Sequence, residues 1–288
     1  MATRTRPTIT PRVDLDFRLD EDIPRYWLGG DIFKTRFFDA MSTLFPEGER
    51  FFIACVRDYK DRVTDPELKR QVAQFTMQEG QHGRVHTRFN ARLQAQGIAV
   101  DRIVAKEHEI LFDRFRGHFP RVYTLAETAA AEHMTATMAH GFFRHGLLEL
   151  ADPRIRAVYA WHAVEEIEHK AVAFDVFQKV AHGGYFVRVL AWLQESILFP
   201  LHVFLIMRYM FTVDGIHGRA RAALWLRGLW WLYGPGGLYM RVMPHYLSYL
   251  LPGFHPWKGG QMNSYRRWTE IFERTGDPLK AGDVLAAP

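Results

Sequence analysis

The 288-residue sequence predicts an all-α protein, a four-helix bundle followed by additional C-terminal helices. Three observations predict it. Strand-like alternation is nearly absent beyond Asp31. Helix starts are written twice as an acidic cap followed by proline, at Asp65-Pro66 and Asp152-Pro153. Four segments then repeat one pattern in order: Glu49, Glu79-x2-His82, Glu132, and Glu166-x2-His169 with His162 ahead of it. Residues three apart share a helix face, so each Glu-x2-His aims a carboxylate and an imidazole at one place. A lone glutamate from each of two helices, with Glu-x2-His from each of the other two, is the ligand order of a dinuclear metal site in a bundle core.

Residues 1–30, rich in Pro, Arg and Asp without periodicity, read as an extended arm. Residues 31–184 supply the bundle. Pro46 precedes the periodic run Phe45, Glu49, Phe52, Val56 and either opens a helix as its first residue or lies inside a longer one. Thr64-Asp65-Pro66 launches a helix that runs to Gly97, and a shorter one follows from Asp101 to Gly117. The segment from Val122 to Leu150 sets Glu132 among Ala129, Ala130, Ala131 and Ala136, which permit close helix approach. Asp152-Pro153 starts a helix expected to run through Glu166 and His169 to Gly183-Gly184. Residues 185–288 form an apolar helical extension, with segments near 185–213, 219–233 and 236–251. Its longest apolar run, Ile197 to Met207, is short of the roughly 20 residues of a spanning helix. No transmembrane helix is therefore expected, although Trp225, Trp230, Trp231, Tyr233 and Tyr239 among arginines suit a membrane interface.

Composition narrows the function classes. The 48% hydrophobic and 24% charged residues are those of a globular chain, and the net charge of +5 is scattered rather than gathered into a nucleic-acid arm. The single Cys55 excludes an internal disulfide and a thiolate metal site, so metal ligands must be N and O donors. The N-terminus lacks the apolar stretch of a secretory signal. A cytoplasmic protein is expected, with peripheral membrane contact and a homodimer interface as alternative uses of the extension.

Within the pattern, rivals were separated by the faces they share. Glu49 lies with Phe45, Phe52 and Val56, whereas Glu47 faces Thr43 and Arg50 and reads as a cap. Glu79 lies with Val72, Phe75, His82 and His86, where an ionised carboxylate is costly unless paired or metal-bound. Glu166 shares its stripe with His162, His169 and Ala173, while Glu165 and Glu168 lie to one side as supporting or solvated groups. Glu132 has room around it, and Glu127 is its fallback. His162 points at the same cavity as an extra ligand or a supporting group, and His86, one turn beyond His82, is a further candidate. His133, His140 and His145 read as packing or surface residues.

The order Glu, Glu-x2-His, Glu, Glu-x2-His resembles the ferritin-like di-iron carboxylate superfamily. With His162 added, His162-x3-Glu166-x2-His169 is similar to the seven-ligand set of the p-aminobenzoate N-oxygenase group. The whole chain, including Phe45-Pro46-x-Gly48-Glu49-x-Phe51-Phe52 and Gln78-Glu79-Gly80-Gln81-His82, resembles a bacterial family of predicted metal-dependent hydrolases. The resemblance implies Glu49, Glu79, His82, Glu132, His162, Glu166 and His169 as metal ligands, with His86 departing from the N-oxygenase pattern.

Two iron ions are the expected cofactor, with manganese, zinc or a mixed pair as alternatives. With iron, the expected function is oxidation or oxygenation of a small, apolar organic substrate by dioxygen, supplied by an electron donor. With redox-inert metals, the same pair would activate water on an ester or phosphate. A non-enzymatic metal-binding, membrane-surface or dimerisation protein is the third reading. No phosphate loop, Ser-His-Asp arrangement or nucleotide fingerprint competes with these, and no nucleic-acid partner is expected.

Overall fold

The computed structural model describes residues 7–259 and 263–286, which among themselves form helices and no strand; Leu28 and Ala151 make a single antiparallel bridge. Four helices enclose the core: α1 (Ile32–Arg57), α2 (Pro66–Ala95), then, after α3 (Val100–His108), α4 (Arg121–His145) and α5 (Pro153–His169). The acidic caps behave as the sequence requires. Asp31, Asp65 and Asp152 accept from the first-turn amides of Lys34, Leu68 and Arg154.

Pro46 lies inside α1, which is continuous from Ile32. Glu47 therefore sits far from any first turn and is not a cap: its carboxylate is buried and meets Arg50 at 2.7 Å and His108 at 2.7 Å. Helix α4 stops at His145 rather than at Leu150, because Gly146 takes the left-handed conformation (φ 60°) that ends it. Helix α5 stops at His169. Lys170 and Ala171 break it before a short turn, Val172–Asp175, and a π-helical segment, Val176–Val180, so the expected unbroken run to Gly183 is replaced by a bend just past the last Glu-x2-His.

Helix α6 (Tyr185–Val213) lies along α4 and α1, α7 (Gly218–Tyr233) crosses α1, and α8 (Leu238–Leu247) packs on α4. Beyond them α9 (Asn263–Thr275) and the short α10 (Pro278–Gly282) return to the bundle, α10 against α5. Length and composition would let α6 cross a membrane, and it alone among the described helices passes that test. Its inner side, with Arg188, Trp192, Val203 and Met207, is nevertheless buried against the rest of the chain.

The core is two apolar clusters separated by a polar layer. One holds Phe38 and Leu44 of α1, Phe89 of α2, Phe142 of α4 and Trp161 of α5. The other holds Phe51, Phe75 and Ala126, with Val172 beyond α5. On α1, α2 and α4 the break between clusters falls where Glu49, Glu79 with His82, and Glu132 stand, and on α5 it falls at His169.

Candidate metal centre

All seven predicted ligands are buried in that layer: Glu49 from α1, Glu79 and His82 from α2, Glu132 from α4, and His162, Glu166 and His169 from α5. Glu166 is at its middle. Its Oε1 lies 3.1 Å from His162 Nε2, 3.4 Å from His169 Nε2 and 3.6 Å from His82 Nδ1. His169 Nε2 also lies 3.0 Å from Glu79 and 3.4 Å from Glu132, and His162 Nε2 is 3.9 Å from Glu49. Four ligand triplets each present atoms within 4.8 Å of one another: Glu49-Glu79-His82, Glu79-Glu166-His169, His82-His162-Glu166 and Glu49-His86-His162. Glu49, Glu79 and Glu166 each belong to two of these groups. The close fit of α2 to α1 depends on Gly83, where a Cβ would come within 3.3 Å of Glu49 Oε2.

The donor set fits a metal pair. Both carboxylate oxygens of Glu49, Glu79 and Glu132, and Nδ1 of His82, are buried without a hydrogen-bond partner. Such groups are rare in folded proteins because each forfeits its hydration, and here they converge. Oxygen and imidazole donors without thiolate suit iron, manganese or zinc.

Behind this layer each imidazole is held by its other nitrogen, an arrangement that fixes tautomer and orientation at metal sites. His82 Nε2 meets Glu165 Oε2 at 3.1 Å, and His169 Nδ1 meets Gln78 Oε1 at 2.9 Å. His162 Nδ1 meets His86 Nε2 at 2.8 Å, and His86 Nδ1 meets the Ser42 hydroxyl at 2.8 Å, which donates to Asn90 Oδ1. With the Nε2 lone pair of His162 turned to the cluster, every donor along this chain has an acceptor. Both nitrogens of His86 are thus engaged, so it stands behind His162. The Thr135 hydroxyl donates to Glu166 Oε2.

Glu165 and Glu168 are not solvated. The N-terminal arm passes beside them, and Arg12 pairs with Glu165 at 3.2 Å and with Glu168 at 2.8 Å. Glu168 further accepts from the Thr10 amide, Gln78 Nε2 and the Tyr265 hydroxyl of α9. Both chain ends therefore brace the centre, which no local sequence signal announces.

Burial, then the neighbouring Glu79, Glu166 and Glu132, pushes Glu49 well above the usual carboxylate range; burial does the same to Glu132. Burial, followed by the adjoining His162, pushes His82 and His86 well down. For Glu166, burial opposes ionisation, but the imidazoles of His169 and His162 prevail and hold it low. His169 is raised against its own burial by Glu132, Glu166 and Glu79. Crowding of like carboxylates is the strain that bound cations relieve.

On one side the layer opens to an apolar cavity of about 120 Å³, lined by Phe45, Glu49, Met134, His162, Glu166 and Phe199 among others. Farther along stand Glu107, Glu127 and Glu195. Burial raises them to about 7, about 9 and about 8. Glu127 is thus outside the ligand cluster, while Glu132 is within it. Leu44, Glu107, Ile110 and His202 are shared with an outer chamber of about 460 Å³ that also touches Arg102, Lys106, Leu205 and Tyr209. Glu107, Glu195 and His202 were not singled out by spacing; Glu195 alone left a signal, as the one acid in the first half of α6.

His133 is buried against Tyr249 with Nε2 at the Tyr246 carbonyl, a packing role. A family model described as a predicted metal-dependent hydrolase matches residues 11–260. No curated protein and no solved structure matches the chain.

Proposed function

We propose that this chain, which belongs to the predicted metal-dependent hydrolase family, is an enzyme that holds two metal ions between α1, α2, α4 and α5 and hydrolyses an ester or phosphate of an apolar organic molecule. The observation that carries the metal assignment is that the buried, unpartnered oxygens of Glu49 and Glu79 converge on His82 Nδ1 and those of Glu132 stand at His169 Nε2. The hydrolytic assignment rests on the family.

Glu49, Glu79 and His82 would hold one ion, and Glu132, Glu166 and His169 the other, with Glu79 and Glu166 shared. When bound, such a pair supplies Lewis acidity and lowers the pKa of water. The remaining work falls to the chain. Glu49, His162 and Glu166 face the cavity, so the reacting group enters on that side. Phe45, Met134 and Phe199 wall it and exclude bulk water. Glu127, raised to about 9 by burial, and Glu195, raised to about 8, hold protons near neutrality. Either can deliver one to a leaving oxygen that reaches it.

A second reading, oxidation of the substrate by dioxygen with iron and an electron donor, is favoured by the donor set itself. Glu49, Glu79 with His82, Glu132 and Glu166 with His169 follow the carboxylate-rich ligand order of di-iron bundles, with His162 in addition. Metal analysis of the purified protein, followed by assay, separates the two. Zinc or manganese with chelator-sensitive cleavage of a nitrophenyl ester or phosphate supports hydrolysis. Iron, with oxygen consumption on mixing the anaerobic ferrous protein with oxygen, moves the assignment to oxidation. Failure to retain any metal after reconstitution sinks both.

A further inference from the structure

The extension leaves a large apolar surface uncovered. Along α6 the exposed residues Phe186, Leu190, Leu193, Ile197, Leu201 and Leu205 recur every three or four positions and form one stripe. Phe186 is 83% exposed and Ile197 64%. The adjoining α7 adds Leu226 at 73% and Trp230 at 68%, and it is tied to α6 where Phe204 and Phe211 meet Trp225 edge-on. Exposed apolar surface on this scale marks an interaction site.

Its charge says which kind. Between Tyr185 and Lys258 stand only two acids, Glu195 and Asp214. Glu195 lines the inner cavity, and the Asp214 carboxylate is buried on Arg36 at 2.6 Å. The exposed charges of the segment are therefore basic: Arg208, Arg219, Arg227, Arg241 and Lys258. An apolar stripe with exposed tryptophan, on a segment whose exposed charges are all basic, is complementary to a bilayer surface with anionic headgroups. It is a poor match for a second copy of itself, since both copies would bring positive charge to the contact. The outer chamber leading inward is walled by Leu205 and Tyr209 of the same helix, with Arg102 and Lys106 of α3 opposite.

We infer that α6 and α7 form a peripheral docking surface for anionic phospholipid membranes, with α6 lying along the bilayer rather than crossing it. A spanning α6 would have to give up the packing of Arg188, Trp192 and Met207 against the chain. Docking brings the chamber mouth to the lipid, from which an apolar substrate would enter without passing through water. The docking itself does not depend on the metal chemistry.

Flotation of the full-length protein with vesicles tests it, using phosphatidylcholine alone or with a quarter phosphatidylglycerol. The protein is expected to float with the anionic vesicles at low salt, and less as the Debye length shrinks toward about 3 Å at 1 M salt. The double variant Ile197→Glu/Trp230→Glu should partition about tenfold less, and so should Arg219→Glu/Arg227→Glu. These positions are on the surface, and an unchanged thermal melt verifies folding. No flotation of the parent protein, or flotation undiminished in both variants, overturns the inference. A solution dimer that Ile197→Glu/Trp230→Glu converts to monomer, without flotation, overturns it and gives the face to a second copy. Metal content read on the same samples keeps a failure of the metal assignment distinct from a failure of docking.

Discussion

Asn90 Nδ2 donates at 2.8 Å to the Ser42 carbonyl, the oxygen that residue 46 would have bonded had it not been proline. The gap that Pro46 leaves in α1 is thereby filled from α2. The same asparagine accepts from the Ser42 hydroxyl, which also meets His86, and His86 holds His162. A backbone defect one turn before Glu49 is thus part of the scaffold behind a candidate ligand.

Asn90→Ala should cost about 1–3 kcal/mol, the usual penalty for orphaning buried polar groups. In a Pro46→Ala background, residue 46 recovers an N–H for the Ser42 carbonyl, so the same change should cost less. A double-mutant cycle read by urea unfolding checks this, and equal costs in the two backgrounds would contradict the pairing.

Arg12→Ala should leave Glu165 and Glu168 buried without their cation, at a cost of about 3–5 kcal/mol. Glu165 also holds His82 at 3.1 Å, so metal affinity should fall about 10–100-fold. Chelator competition on the variant measures the second effect. An unchanged affinity would mean that the arm only packs.

These two networks mark the limit of sequence reading here. The starts of α2 and α5 were legible because a cap and a first-turn proline are local chemistry. The convergence of Glu79, His82, Glu166 and His169 was legible because spacing on a helix is geometry. Arg12 reaching Glu168, or Asn90 reaching Ser42, depends on how distant segments pack, which no local pattern encodes. Glu47 was misread for a related reason: its role turned on whether Pro46 opened α1 or lay within it, and the filling of the Ser42 carbonyl from Asn90 decides that. The apolar helix near 185–213 was legible, and α6 runs from Tyr185 to Val213; Ile197–Met207 looked too short only for a spanning helix, because Glu195 and Arg208 bracket it. In the fold Glu195 turns into the cavity, and α6 runs on past both.

The cavity acids predict a pH profile. Glu127 is raised from 4.5 to about 9 by burial and by nearby Glu195. A folded carboxyl that keeps its proton longer than the unfolded one contributes stability that is full below about pH 4.5 and lost as pH rises toward 9. Each unit of such a shift is worth about 1.4 kcal/mol. Glu127→Gln removes that dependence, so the variant should lose less stability than the parent between pH 5 and 9. At the alkaline end it should be the more stable of the two. Urea midpoints across that range decide it, and parallel curves would show that Glu127 titrates as an ordinary acid.

His86 offers the test that separates a metal ligand from a group that positions one. His86 stands within 4.8 Å of ligand atoms of Glu49 and His162, but its Nε2 is 2.8 Å from His162 and its Nδ1 2.8 Å from Ser42, which favours a positioning role. His86→Ala should therefore keep two metals per chain but bind them about 10–100-fold more weakly, because the His162 ring loses the acceptor that orients it. His86→Gln, whose amide oxygen can take that hydrogen bond, should recover part of the affinity. Glu79→Ala and Glu166→Ala should behave differently, losing metal altogether, since each removes a carboxylate that belongs to two of the candidate ligand groups. Stoichiometry by elemental analysis, set beside affinity by chelator competition, distinguishes the two classes. If His86→Ala lost one ion outright, His86 would move into the ligand set, and the hydrogen-bonded chain to Ser42 would have to rearrange on metal binding.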